Sequence, residues 1–116
     1  GTFFLPRLIG WQKASAYMML GEKISAEDAE KMGMIYKWYD DDVFQNSVNQ
    51  IAGRLAKMAT MGLAYTKKAL QWSSTHTIYE QLQNEDKLQQ WAAATKDFKE
   101  GVNAFLEKRE ANFIGE

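Results

Sequence analysis

Apolar residues in the second half of this chain recur at helical spacing. From Val43 onward, Phe44, Val48, Ile51, Ala52, Leu55 and Ala59 fall three or four residues apart and form one apolar stripe, because that spacing returns side chains to the same face of a helix. Thr60-Met61-Gly62 interrupts the pattern, and Leu63 to about Trp72 reads as the next helix. Ile78, Leu82, Glu85, Leu88 and Ala92 predict another helix reaching about Ala94, with Glu85 the one polar member of the line. Phe98, Val102, Phe105, Leu106 and Arg109 predict a last one. Three segments read as capping boxes that open helices: Ser25–Asp28, Thr77–Glu80 and Asp97–Glu100. In the first third, Gly10, Gly21 and Gly33 stand where helix-length segments should end, as glycines that accept positive φ do. Between them and the long stripe, Met34–Tyr39 is rich in Ile, Tyr and Trp and predicts a single short strand near 34–39. The expected architecture is mainly α, with five or six helices and that strand, and without internal repeats, linkers or low-complexity stretches.

Composition narrows what such a helical chain can be. Its 116 residues are one small domain or a piece of a larger one, and 46% hydrophobic with 25% charged residues is a globular rather than a disordered balance. Fourteen basic against 15 acidic residues give a net charge of -1, so no clustered basic face speaks for a nucleic-acid partner. No apolar run approaches the roughly 20 residues of a membrane span. No secretory signal pattern is visible at the N-terminus. With no cysteine, disulfides, thiol catalysis and cysteine-based zinc sites are excluded, which is consistent with a reducing cytoplasm. Four Trp, five Tyr and six Phe are a heavy aromatic load for this length. Such side chains need a deep core or a partner surface, so a further domain or another subunit is expected to pack here.

Candidate chemistry is sparse. His76 lies in the polar connection Ser73–Thr77 with no other ligand type at a metal-like spacing, and reads as a solvated loop residue. Asp40-Asp41-Asp42 lacks the alternating oxygen ligands and glycine of a calcium loop and suits a helix N-terminus instead. Ser73 and Ser74 have no nucleophile-elbow context. Glu80 belongs to its capping box, which leaves Glu85 as a lone carboxylate, too little for general acid–base work. There is no glycine-rich phosphate loop and no metal site.

A resemblance takes the reading further. Gly1-Thr-Phe-Phe-Leu-Pro-Arg-Leu-Ile-Gly10 resembles the Gly-Gly-Thr-x-x-Leu-x-Arg-x-x-Gly segment of the enoyl-CoA hydratase/isomerase (crotonase) superfamily, and Leu20–Ala29 resembles its Leu-(Thr)-Gly-x-x-Ile-x-Ala-x-x-Ala signature. Gly33-Met-Ile is similar to the Gly-Leu-Val that opens the family's next strand, and Lys67-Lys-Ala-Leu70 to its lysine-containing helix. Asp97, Glu100-Gly101, Ala104-Phe105 and Lys108-Arg109 are similar to the terminal Asp-x-x-Glu-Gly-x-x-Ala-Phe-x-x-Lys-Arg pattern. These pieces keep their order and spacing over essentially the whole chain. Leu5–Arg7, Gly33–Tyr36, Asp40–Asp42 and Gly62–Lys67 are most similar to the phenylacetate-pathway isomerase branch, with ordinary hydratases and other enoyl-CoA isomerases as alternatives.

The resemblance implies that residues 1–116 are the C-terminal helical, trimerisation part of a ClpP/crotonase-type fold, in an enzyme that works through a thioester enolate. Its β-β-α spiral core, oxyanion hole and acid/base residues are expected before Gly1, so no catalytic residue is expected in this chain. The implied substrate is a coenzyme A thioester, with no covalently bound cofactor, and the implied assembly is a homo-trimer or hexamer in the cytoplasm. By match to the family's last helix, Phe105 and Lys108 are expected to flank the adenine and phosphates of a neighbouring subunit's coenzyme A. Periodicity alone makes Phe105 a core residue and Lys108 a solvated one. Thr2, Phe3 and Phe4 match the edge of the acyl pocket, or else simply pack as helix residues. A non-catalytic helical oligomerisation or interaction module is the alternative function.

Overall fold

The computed structural model describes all of residues 1–116. It comprises two units, Gly1–Val48 and Asn49–Glu116, with the boundary inside one helix. Seven helices account for the regular structure, more than the five or six expected.

In the first unit, α1 (Leu5–Ile9) packs on α2 (Trp11–Leu20), and α3 (Ala26–Lys31) follows. Pro6 sits in the first turn of α1, where its missing N–H has no helical partner to lose. Gly10, Gly21 and Gly33 have φ of 82°, 67° and 77°, so each predicted stop is a positive-φ residue. Gly21 closes α2 in the left-handed conformation, its N–H donating to the Tyr17 carbonyl at 3.0 Å. Ser25 caps α3 by accepting from the Asp28 N–H.

The strand expected near 34–39 does not form: Met34–Tyr39 is a series of bends running into extended chain. A strand exists only in a ladder, and no second segment of the chain supplies one. Its backbone donors turn to local acceptors instead. Met34 and Ile35 N–H groups go to the Ala29 carbonyl, and the Trp38 N–H goes to the Glu30 carboxylate at 2.8 Å.

Helix α4 (Asp41–Ala56) spans the unit boundary, with Asp41 and Asp42 in its first turn at the positive end of the helix dipole. Its predicted stripe is present, yet the helix buries no residue. In the second unit, α5 (Thr60–Ser73) and α7 (Lys96–Glu107) both pack on α6 (Ile78–Ala93). The break expected at Thr60–Gly62 falls instead at Lys57–Ala59, and Gly62 lies in the first turn of α5. Thr77 and Glu80 form the full reciprocal capping box of α6. Leu88, from the predicted line of α6, and Ala104 of α7 are buried.

Candidate functional site

Helix α7 is capped by Thr95, not by the predicted Asp97: the Thr95 hydroxyl accepts from the Phe98 N–H at 3.1 Å. Position 97 is displaced two residues into the helix, and its carboxylate is put to another use. Asp97 is 2% exposed. Its two oxygens accept from the Ile114 N–H at 2.8 Å and the Gly115 N–H at 2.9 Å, while its own N–H donates to the Glu116 carbonyl. One turn on, Glu100 accepts from the Asn112 N–H at 2.8 Å. Residues 110–116 therefore fold back along α7 as an extended strap, held by carboxylates rather than by a ladder. Burial alternates along it: Ala111, Phe113 and Gly115 are partly covered, while Asn112, Ile114 and Glu116 are exposed. The strap passes over Gly101, where a Cβ would stand 3.5 Å from the Phe113 ring, an ordinary contact.

The chain reverses at the C-terminal end of α7. Lys108 adopts φ 54°, ψ 40°, the only non-glycine residue with positive φ. The Lys108 N–H donates to Phe105 and the Arg109 N–H to Ala104, the pair of bonds that ends a helix in a Schellman turn. Glycine usually occupies this left-handed position, and a side chain there costs about 1 kcal/mol. Arg109 makes a forked ion pair with Glu100, Nη1 at 2.6 Å and Nη2 at 3.0 Å, and its Nε reaches Glu107 at 2.6 Å. The Arg109 fork, aided by the Asn112 N–H, holds the Glu100 carboxyl down at about 2. The two carboxylates in turn raise the Arg109 guanidinium above its ordinary value.

The predicted pair sits at this end. Phe105 is 81% exposed and Lys108 is exposed. The core reading of Phe105 therefore fails within this chain: Ala104 is the residue that packs inward, and Phe105 projects into solvent. Lys108 has no carboxylate partner among the ion pairs of the chain, whereas Arg109 has two. An uncovered aromatic ring and an unpaired ammonium thus stand three residues apart at one helix end. The arrangement can offer an apolar face to a planar base and a positive charge to phosphate.

Thr2, Phe3 and Phe4 form a separate cluster in the first unit, in the turn that leads into α1. The two rings meet edge to face at 5.1 Å, and the Arg7 guanidinium lies 3.8 Å above Phe3. Phe4 is largely exposed.

The remaining candidates have local occupations. His76 stacks on Trp72 at 3.8 Å, and its Nδ1 lies 2.9 Å from the Trp72 carbonyl. Glu80 accepts the backbone N–H and hydroxyl of Thr77, which lower its pKa. Half-buried Glu85 accepts from the Gln81 amide at 2.7 Å. It borders an open apolar groove of about 700 Å³ between α5 and α6, where Leu63, Leu88 and Phe113 contribute walls. No cluster of His, Cys, Asp or Glu could hold a metal ion, and no helix is long and apolar enough to cross a membrane.

Known proteins share this architecture and its sequence. The sequence profile of the enoyl-CoA hydratase/isomerase family matches residues 1–116. The chain is 39% identical to a 1,2-epoxyphenylacetyl-CoA isomerase of Escherichia coli K12 over 99% of its length, and spans 44% of that relative. It is 37% identical to a probable enoyl-CoA hydratase of Rhodobacter capsulatus over 99% of its length, spanning 45% of it. A crystal structure of an enoyl-CoA hydratase from Bacillus anthracis superposes with a TM-score of 0.92 at 30% identity, over 99% of this chain and 45% of that one. The chain thus spans less than half the length of these relatives.

Proposed function

The chain belongs to the enoyl-CoA hydratase/isomerase family, and from that premise we propose that it serves as the coenzyme-A-capping and assembly part of an acyl-CoA isomerase or hydratase. The reaction is proton transfer at a thioester enolate, in phenylacetate or fatty-acid breakdown. The likeness to the epoxyphenylacetyl-CoA isomerase favours the first of these pathways. Residues 1–116 contribute binding rather than proton transfer: Glu100 and Glu107 are both engaged by Arg109, and Glu85 is engaged by Gln81.

The observation that carries the reading is the end of α7, where every residue of the terminal family pattern except two has a partner. Asp97, Glu100, Gly101, Ala104 and Arg109 are consumed in holding the strap and the helix end. Phe105 and Lys108 are left over and exposed. Phe105 offers its face to the adenine of a coenzyme A held by a neighbouring copy, and Lys108 offers its ammonium to the phosphates. The phosphates lie at the negative end of the α7 dipole, so a cation there is required rather than ornamental. Thr2, Phe3 and Phe4 stand at the edge of the acyl pocket. The uncovered stripe of α4 is an assembly face, consistent with a homo-oligomer, trimer or hexamer, and with a soluble cytoplasmic enzyme.

Titration of coenzyme A into the complete gene product tests this. Lys108→Ala and Phe105→Ala should each weaken binding about tenfold, as loss of one charge-assisted contact or one stacked ring does, with the oligomeric mass unchanged. Unaltered affinity in both variants would remove the cap. If coenzyme A bound nowhere and the mass alone responded to substitutions in α4, the chain would be an oligomerisation module without catalysis.

A further inference from the structure

We propose that Glu100 and Arg109 are positioning residues for coenzyme A, acting through the backbone of Lys108; the inference rests on the capping reading of Phe105 and Lys108 given above.

The forked Glu100–Arg109 pair joins residues on either side of the reversal at Lys108, and links the residue that leads into the strap to the body of the helix. Glu100 is the hub: its Oε1 takes both the Arg109 Nη1 and the Asn112 N–H, and Oε2 takes Nη2. Its side chain is 24% exposed, more sheltered than a solvated surface pair, and the planar fork fixes orientation as well as distance. Between these two anchors lies the single side-chain-bearing residue with φ in the left-handed region. A lysine left to itself at a helix end frays toward ordinary conformations, because glycine is the residue that holds this one without steric cost. The pairs on both sides over-determine the backbone at 108, which is the circumstance in which such a conformation persists.

Charge alone argues the other way. Glu100, Glu107 and Glu110 crowd this end of α7 and would repel phosphate, as does the negative end of the helix dipole. If these acidic residues mattered only through their field, removing one would tighten coenzyme A binding. If Glu100 matters by holding Lys108 in place, removing its charge loosens binding. The two accounts predict opposite signs, which makes the test sharp.

The experiment titrates coenzyme A, and separately pantetheine, which lacks the nucleotide and its phosphates, into the complete gene product and its variants. Glu100→Gln should weaken coenzyme A about threefold to fivefold, in the range of an ordered ion pair, and leave pantetheine unchanged. Arg109→Lys keeps the charge but loses the fork, and should weaken coenzyme A by a similar factor. It also carries the test if Glu100→Gln does not fold. Tighter or equal binding of coenzyme A in both variants, with Lys108→Ala still impaired, overturns the positioning role and leaves the cap standing. Equal loss for coenzyme A and pantetheine marks a general structural defect and likewise overturns it. Unaltered affinity in both Lys108→Ala and Phe105→Ala overturns the capping reading itself, and this proposal with it.

Discussion

Asp97 shows how far one residue can depart from its sequence signature. As the first member of Asp97–Glu100 it reads as a helix cap, yet Thr95 takes that part and Asp97 is buried against the strap. Helix starts are ambiguous by a residue or two whenever Thr and Asp stand close together, and the carboxylate's N–H donors lie 17 and 18 residues away, beyond any local pattern. Asp97→Ala should leave two covered N–H groups without an acceptor and cost about 2–4 kcal/mol, read as a lower urea midpoint. Two glycines, one in α7 under the strap and one in the strap itself, should respond in opposite directions. At Gly101, inside α7, an added methyl meets the Phe113 ring at ordinary contact distance. Gly101→Ala should therefore stabilise by about 0.5–1 kcal/mol through helix propensity. At Gly115, φ is 80° and a Cβ would come within 2.8 Å of the Thr60 hydroxyl, so Gly115→Ala should cost about 1–2 kcal/mol. Thermal melts of the two single variants, compared with the parent, check the signs.

Among the elements, helices whose periodicity ran past three turns were legible, and the short irregular pieces were not. The α6 box and the apolar line of α6 stand where the spacing put them, while the lines of α4 and α7 hold except at their last members, Ala59 and Arg109, which lie beyond the helix ends. The strand at Met34–Tyr39 was misread because β-branched and aromatic content reports a preference, while a strand also requires a neighbour. The strap went unseen for the complementary reason: Asn112-Phe-Ile-Gly115 is too short for a periodic signal, although Ala111, Phe113 and Gly115 alternate with outward residues. At this scale the strap should be acid-sensitive. The Glu100 carboxyl is lowered from 4.5 to about 2, chiefly by Arg109 and then by the Asn112 N–H. A depressed carboxylate stabilises fully above its unfolded value, and that contribution fades as pH falls through the folded one. The tie of the strap to α7 should thus weaken between pH 4.5 and about 2. The Asn112 amide resonance followed by NMR should titrate in that window and should be flat in Glu100→Gln.

For the molecule as a whole, the sequence announced a surplus of aromatic and aliphatic surface, and the structure locates it. Trp11 and Met19 of α2, Tyr36, and the α4 residues Phe44, Ile51 and Leu55 are all exposed. What covers them is not encoded in their own periodicity, which specifies a face and not its partner. With these faces uncovered, the 116-residue chain by itself should associate as its concentration rises. Ile51→Glu with Leu55→Glu should lower its apparent mass in sedimentation velocity while leaving helical circular dichroism unchanged. The strap has one more consequence at this scale. Its Ile114 and Gly115 amides are shielded not by a helix or sheet but by one buried carboxylate. To deuterium or to a protease, a segment with the outline of a loose tail should behave as part of the fold, slow to exchange and slow to be cut. The protection of these two amides hangs on a single side chain, so they should switch together from resistant to labile when Asp97 is lost.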